Sequence, residues 1–251
     1  MSDRPRARVG SLLLLASGAC VAHAACAGPA SLPPEGAVLS AARFDLAWAN
    51  GRAVRQDDGA LRWVTDRGHE VTLRRGQLAT YASSIAECDP GVLASLLAPL
   101  GPGLAHAGHG EAADPSTVAG VIETIGAEVP LAQGASAFAP KDYCRAHWVA
   151  APADASTRGA VEAGMEGASL VLEGEWSRGG ATGTFAWRST VATGALQELP
   201  PLTGSAVHVT VVRSLDTLLD GIDFESATTA TADRAVLLNL ALQTLIEARP
   251  D

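Results

Sequence analysis

Short stretches in which apolar and polar residues alternate recur along this chain, and they limit its possible folds more than any other feature. The clearest covers residues 206–212, where three valines alternate with polar residues. A period of two sends successive side chains to opposite faces of a strand, so this stretch predicts a strand with one buried face. His208 lies on its polar face and is expected to be exposed.

Many short strands predict a mainly β fold, an antiparallel β-sandwich of immunoglobulin-like type. The five tryptophans of the chain all fall in strand candidates, where packing between two sheets explains them better than a carbohydrate-binding platform does. Turn residues separate the other alternating stretches, which occur at residues 42–48, 61–64, 69–85, 143–150, 169–176 and 182–188.

The last part of the chain changes to a helical period. Apolar residues share one face of a helix predicted over residues 233–248, with Asp233 or Thr231 as its N-cap, packed on one face of the sandwich. Before this helix, residues 220–223 contain two aspartates. The pattern favours a turn anchored in the core by Ile222 and Phe224 over a catalytic pair of carboxylates.

Residues 1–24 predict an export signal. Three arginines open it, a short apolar run follows, and Ala-His-Ala at its end is a small-x-small cleavage site. Residues 17–20 offer an alternative, a loose lipoprotein motif in which Cys20 carries the lipid. Residues 25–40 then predict a linker and residues 41–251 a single domain. The expected location is the periplasm or outer membrane of a bacterium, with membrane contact only through a lipid anchor.

The charge of the chain favours cations as partners. The chain has 18 basic and 27 acidic side chains, and removal of residues 1–24 would leave 15 and 26, a net charge near −11. This balance argues against nucleic acid and against binding of anionic lipid through a basic patch. Solubility alone would also explain it.

Cys88 and Cys144 are the only cysteines deep in the chain, and each lies beside a strand candidate. In an exported protein this pair predicts a disulfide. The bond would close a loop of roughly 56 residues and contribute about 4 kcal/mol in the chain-entropy model. The alternative is a pair of thiolate metal ligands.

Two imidazoles and a carboxylate lie between these cysteines, in an Ala- and Gly-rich stretch predicted to be a loop. They belong to His106, His109 and Glu111. Neutral imidazole is the commonest metal ligand and suits copper and zinc. From a loop, His106 and His109 can reach one ion, and Glu111 can add an oxygen. The alternative is that both histidines are simply solvated.

Two further histidines are candidate ligands. His69 begins a predicted strand, and His147 lies within one, close to Cys144. If the disulfide holds these strands together, both are expected near the histidine loop, giving a site of three or four imidazoles. His147 equally fits a packed histidine at the sheet face. Met165, the one methionine besides the initiator, offers a thioether that copper would accept.

The sequence contains no Gly-x-Ser-x-Gly elbow and no phosphate-binding P-loop. A metal-assisted enzyme would need an open coordination position and a nearby base, for which Glu111 or Glu70 would serve. Because nothing in the sequence selects a substrate, we expect a non-enzymatic protein.

Several short motifs are spread over most of the mature chain. They are Phe44-x-Leu46-x-Trp48, residues 68–73 leading to Cys88, the histidine loop, Tyr143-Cys144, and residues 219–224 followed by a helix with Asn239. Together they resemble the MbnP-like copper-binding proteins of the bacterial periplasm. That family is associated with four cysteines, whereas the mature chain offers only Cys88 and Cys144 as plausible partners. The resemblance implies a sandwich fold, export and transition-metal binding.

We therefore expect an exported, non-enzymatic protein that binds copper or zinc for storage, delivery or sensing. The alternative is a structural or interaction module that holds an envelope protein partner through its edges or loops.

Overall fold

The computed structural model describes residues 40–88, 117–138, 142–202 and 206–250. All of these residues fall within one compact unit of the chain. The predicted export signal, the linker up to residue 39 and the histidine loop lie outside them. Within the described ranges, no helix has the length and apolar character needed to cross a membrane.

The smaller of two sheets has four strands in the order β13-β12-β1-β7. Its central strands are β1 (Ser40–Ala49) and β12 (Ala206–Ser214), and its edges are β7 (Leu131–Phe138) and β13 (Leu245–Pro250). β1 and β12 run parallel, which differs from the purely antiparallel sandwich expected. The long chain between them easily spans the crossover that a parallel pair requires.

The larger sheet has nine strands arranged around β4 (Glu70–Glu87), which is 18 residues long. One edge of β4 pairs in turn with β3, β6 and β5, and the other edge with β9 and then β8. β2, β10 and β11 extend β3, β9 and β8 outwards. The bounds are β2 (Val54–Arg55), β3 (Leu61–Val64), β5 (Thr117–Val118), β6 (Val121–Thr124), β8 (Tyr143–Ala150), β9 (Leu170–Arg178), β10 (Ala181–Ser189) and β11 (Thr193–Leu202).

The predicted alternation is confirmed in the core between the sheets. Along β12, Val207, Val209 and Val211 are each at most 2% exposed. Four of the five tryptophans are also buried, whereas Trp176 is half-buried at the margin. The prediction that tryptophans pack between sheets therefore holds best for the other four.

The one helix of the described residues, α1 (Thr229–Gln243), starts and ends earlier than predicted. Its N-cap is Thr228, whose side chain accepts a hydrogen bond from the N–H of Thr231 in a capping box. The helix packs against β10 and β11. Residues 245–248, expected in the helix, belong to β13 instead, because pairing with β12 satisfies their backbone and still buries Ile246.

Candidate functional site

The predicted ligands His106, His109 and Glu111 lie in residues 89–116, outside the described residues, but both ends of this segment are described. Cys88 directly follows β4, and Thr117 begins β5. Thr117 and His147 both have Ser84 of β4 as their Cα partner, on opposite sides of that strand. With strands about 4.8 Å apart, the backbones of Thr117 and His147 are about 10 Å apart. The chain therefore enters and leaves the segment beside His147.

The predicted disulfide between Cys88 and Cys144 is present, with Cα atoms 5.1 Å apart. The backbone N–H of Cys88 also donates to the carbonyl of Asp142 at 2.8 Å. The disulfide therefore fixes the start of the histidine segment to Cys144 of β8, which is three residues from His147.

His147 lies on the outer face of the larger sheet, between Ser84 of β4 and Leu196 of β11. Its side chain is half-buried. This partial burial lowers the pKa of the imidazole, because desolvation disfavours the charged ring. At neutral pH the ring is therefore uncharged and keeps a nitrogen lone pair, which is the form that binds a metal.

His69 lies elsewhere, directly before β4, and Ser84 follows it by 15 residues. At about 3.3 Å per residue this separation is about 50 Å along the strand. Even with the bends of β4 at its bulges, His69 and His147 cannot bind the same ion. The expectation that both lie near the histidine loop is therefore corrected, and only His147 lies beside that segment.

The imidazole of His69 is completely buried against two aromatic rings. Its centroid is 5.6 Å from that of Trp176, edge-on, and 5.2 Å from that of Phe224. Neither ring nitrogen has a hydrogen-bond partner among the described residues. The pKa of His69 is lowered, chiefly because burial disfavours the charged ring.

Met165 is also unsuited to the metal role considered for it. Its side chain is completely buried in a small apolar cluster on the outer side of the larger sheet. The thioether thus packs as a core group. The other members of this cluster are Ala79, Ala153, Ala160, Ala168 and Val171.

His208 is paired, although an exposed side chain was expected. Its Nε2 lies 2.8 Å from Asp45 Oδ2, and its Nδ1 lies 3.4 Å from Arg249 Nη2. The three residues lie on adjacent strands of the smaller sheet. The outer face of this sheet therefore carries an interstrand polar network.

A buried ion pair between the two sheets was missed in the sequence. Arg213 Nη1 donates to Glu123 Oε2 at 2.9 Å, and Arg213 Nη2 donates to the Thr80 hydroxyl at 2.8 Å. The guanidinium carbon lies 4.8 Å from the ring centroid of Trp148 and 5.9 Å from that of Trp48. Burial raises the pKa of the Glu123 carboxyl, whereas Arg213, Thr80 and Trp48 stabilise its charge.

The alternation itself could have revealed this pair. Arg213 continues the inward-facing series of Val209 and Val211, and Glu123 occupies the inward position after Val121. Two opposite charges at core positions of separate strands indicate a buried pair, since an unpaired charge there is very costly.

Two shallow grooves of about 410 and 500 Å³ adjoin on the outer face of the larger sheet, and Arg62 and Glu70 line both. These two residues form an ion pair with each other. Glu70 was considered as a base for metal-assisted chemistry. Its pairing with Arg62, at the opposite end of β4 from His147, argues against that role.

Among the described residues, no group of three or more His, Cys, Asp or Glu side chains is arranged to hold a metal ion. Comparison of the chain with protein-family models, with curated proteins and with solved structures gives no match. The function is therefore argued from the geometry around His147 and the disulfide.

Proposed function

We propose that this chain is an exported, non-enzymatic protein of the bacterial cell envelope that binds a copper or zinc ion at the Cys88–Cys144 end of the sandwich. The observation that supports the proposal is the register of β4. Ser84 pairs with both His147 and Thr117, so the C-terminal end of the histidine segment lies beside an uncharged imidazole.

The proposed ligands are His147, His106 and His109, with Glu111 as an oxygen donor. Three imidazoles are a ligand set that copper and zinc both accept. The distances allow it. His109 precedes Thr117 by eight residues, which span at most about 27 Å when extended, whereas Thr117 and His147 are only about 10 Å apart.

In this proposal the disulfide contributes to the site by holding the start of the histidine segment close to His147. Cys88 and Cys144 are covalently joined, so the segment carrying His106 and His109 starts within three residues of His147. A tether of this kind raises the effective concentration of its imidazoles near the third ligand.

The test is a titration of the mature chain with Cu(II), Zn(II) and, under anaerobic conditions, Cu(I). The variants are His147→Ala, the double variant His106→Ala/His109→Ala, and the matched control His208→Ala. We expect a single site in the wild-type chain and in the control, and at least a tenfold weaker affinity in the other two. Wild-type affinity in both the His147 variant and the double variant would refute the proposed ligand set.

A second candidate is a protein-interaction module, because α1 and the residue that starts β13 expose a strip of leucines. Leu238, Leu242 and Leu245 are 54%, 69% and 50% exposed. Cross-linking in intact envelopes would test it, comparing Leu238→Glu/Leu242→Glu with the neighbouring control Gln243→Glu. A specific cross-linked partner that is lost only in the leucine variant supports this module, and a partner retained in both variants contradicts it.

A further inference from the structure

Two loops at the His69 end of the sandwich are joined by reciprocal hydrogen bonds. The N–H of Asp66 donates to Asp220 Oδ1 at 3.0 Å, and the N–H of Gly221 donates to Asp66 Oδ1 at 2.8 Å. We call the turn of residues 65–69 and the loop of residues 220–224, with these hydrogen bonds, the clamp. The amide of Asn239 donates to the carbonyls of Leu218 and Asp220 and so ties the second loop to α1.

The imidazole of His69 is part of the clamp and is its least satisfied group. Its backbone N–H donates to Thr65 Oγ1 at 3.3 Å, whereas its two ring nitrogens are buried without a partner among the described residues. A buried polar atom without a hydrogen bond costs about 1–3 kcal/mol. A phenylalanine would fill the same space between Trp176 and Phe224 without that cost.

The charges that face His69 give a protonated ring little compensation. Arg67 in the turn and Arg178 at the end of β9 oppose its protonation. Asp223 on the second loop and Glu225 directly after that loop favour it. Desolvation is larger than any one of these charge effects, and the net result is a lowered pKa of the imidazole. A proton on the ring is therefore accommodated best when the clamp opens and water reaches the imidazole.

Phe224, at the end of the second loop, covers an aromatic cluster. Its ring centroid lies 5.4 Å from that of Phe185 and 5.5 Å from that of Trp187, and these two rings stack at 4.7 Å. Trp176 lies 6.2 Å from Phe224 on the side of His69. Displacement of the second loop would therefore expose large apolar rings.

We infer that the clamp is a pH-dependent latch: protonation of His69 in mildly acidic surroundings releases residues 220–224 and exposes the aromatic cluster beneath Phe224. This latch is independent of the proposed metal site, which lies at the other end of β4. Because the open ring titrates near its ordinary value and the closed ring resists the proton, opening is favoured as the pH falls. The equilibrium constant for opening rises at most about tenfold per pH unit below about 6.5.

Hydrogen exchange of the full chain, expressed as protection factors, tests the latch at pH 7.5 and pH 5.0. In the wild-type chain we expect the protection of residues 65–69 and 220–224 to fall at pH 5.0, by up to about thirtyfold. Protection of the central strands should stay constant. Binding of an apolar dye to the exposed rings should rise over the same interval.

His69→Phe is the decisive variant and His208→Gln its control. His69→Phe should retain its protection at pH 5.0 within about threefold, while His208→Gln should behave as the wild type. Equal protection of the wild-type clamp at both pH values, or the same loss in His69→Phe, would overturn the inference.

A titration of the wild-type chain followed by NMR does not depend on any variant. The ring of His69 and the clamp amides should change with one common midpoint. If the ring titrates while the amide of Gly221 stays unchanged, protonation does not open the clamp and the inference is wrong.

Discussion

The side-chain amide of Gln197 hydrogen-bonds to both backbone groups of Ile246. Its Nε2 donates to the Ile246 carbonyl at 2.9 Å, and its Oε1 accepts from the Ile246 N–H at 2.9 Å. Gln197 belongs to β11 of the larger sheet and Ile246 to β13, the edge of the smaller one. One side chain therefore replaces a neighbouring strand at this position and joins the two sheets along one side.

Replacing Gln197 by Leu should lower the free energy of unfolding by about 1–3 kcal/mol, because it leaves the N–H and carbonyl of Ile246 without partners. Urea denaturation measures this change. Gln197→Glu is the informative control, since it keeps the acceptor for the N–H but removes the donor to the carbonyl. If Gln197→Glu lowers the free energy of unfolding no more than a surface substitution does, the Ile246 carbonyl is satisfied by water.

Breaking the buried pair from one side should be among the most destabilising changes in the chain. Glu123→Leu leaves the buried guanidinium of Arg213 without its carboxylate partner. Arg213→Met leaves the buried carboxyl of Glu123 without its guanidinium partner. Each should cost about 3–5 kcal/mol. The double variant should cost much less than the sum, which a double-mutant cycle by urea denaturation detects. Additive losses would indicate that the two charges do not interact.

Removing the disulfide by Cys88→Ser/Cys144→Ser should lower the free energy of unfolding by at most about 4 kcal/mol. The loop of 56 residues sets that upper limit. The same variant should also weaken metal binding, because it frees the start of the histidine segment from His147. Calorimetric titration separates the two effects if it is performed where the variant is folded. Unchanged metal affinity would show that the strand register alone positions the segment.

The stability of the protein should fall as the pH decreases below about 6.5, the ordinary pKa of histidine. The pKa values of His69 and His147 are lowered in the folded chain, so the unfolded chain binds more protons in this range. His69 alone can contribute up to about 1.4 kcal/mol per pH unit, down to its folded pKa. Urea denaturation at pH 7.5, 6.0 and 5.0 should show a shallower decline in His69→Phe. An equal decline in stability in the wild type and in His69→Phe would show that His69 does not contribute to this pH dependence.

Strands were the most predictable part of this fold, because the alternation of apolar and polar residues in each one indicates which face is buried. The alternation at residues 206–212 became β12. The alternating stretches 169–176 and 182–188 became β9 and β10, with Gly179 and Gly180 as the turn between them. Both glycines have positive φ, +56° and +90°, as a tight hairpin requires. Local sequence decides these features, so no knowledge of the partner strands is needed.

Features that depend on distant partners were less predictable. The residues of β13 fit a helix as well as a strand by local pattern, and only pairing with β12 decides between them. The direction of β1 relative to β12 likewise has no local signature. For the proposed site, the sequence predicted the disulfide and offered His147 as a candidate ligand. It did not predict the register of β4, which separates His69 from His147 and places Thr117 near His147.

The parallel pairing of β1 and β12 also sets the order in which the protein can assemble. β1 is the first of the described strands, yet one of its two neighbours, β12, is among the last of them. During synthesis the smaller sheet stays incomplete until β12 has emerged from the ribosome. Such long sequence separation between contacting strands slows folding, so the smaller sheet is expected to form late.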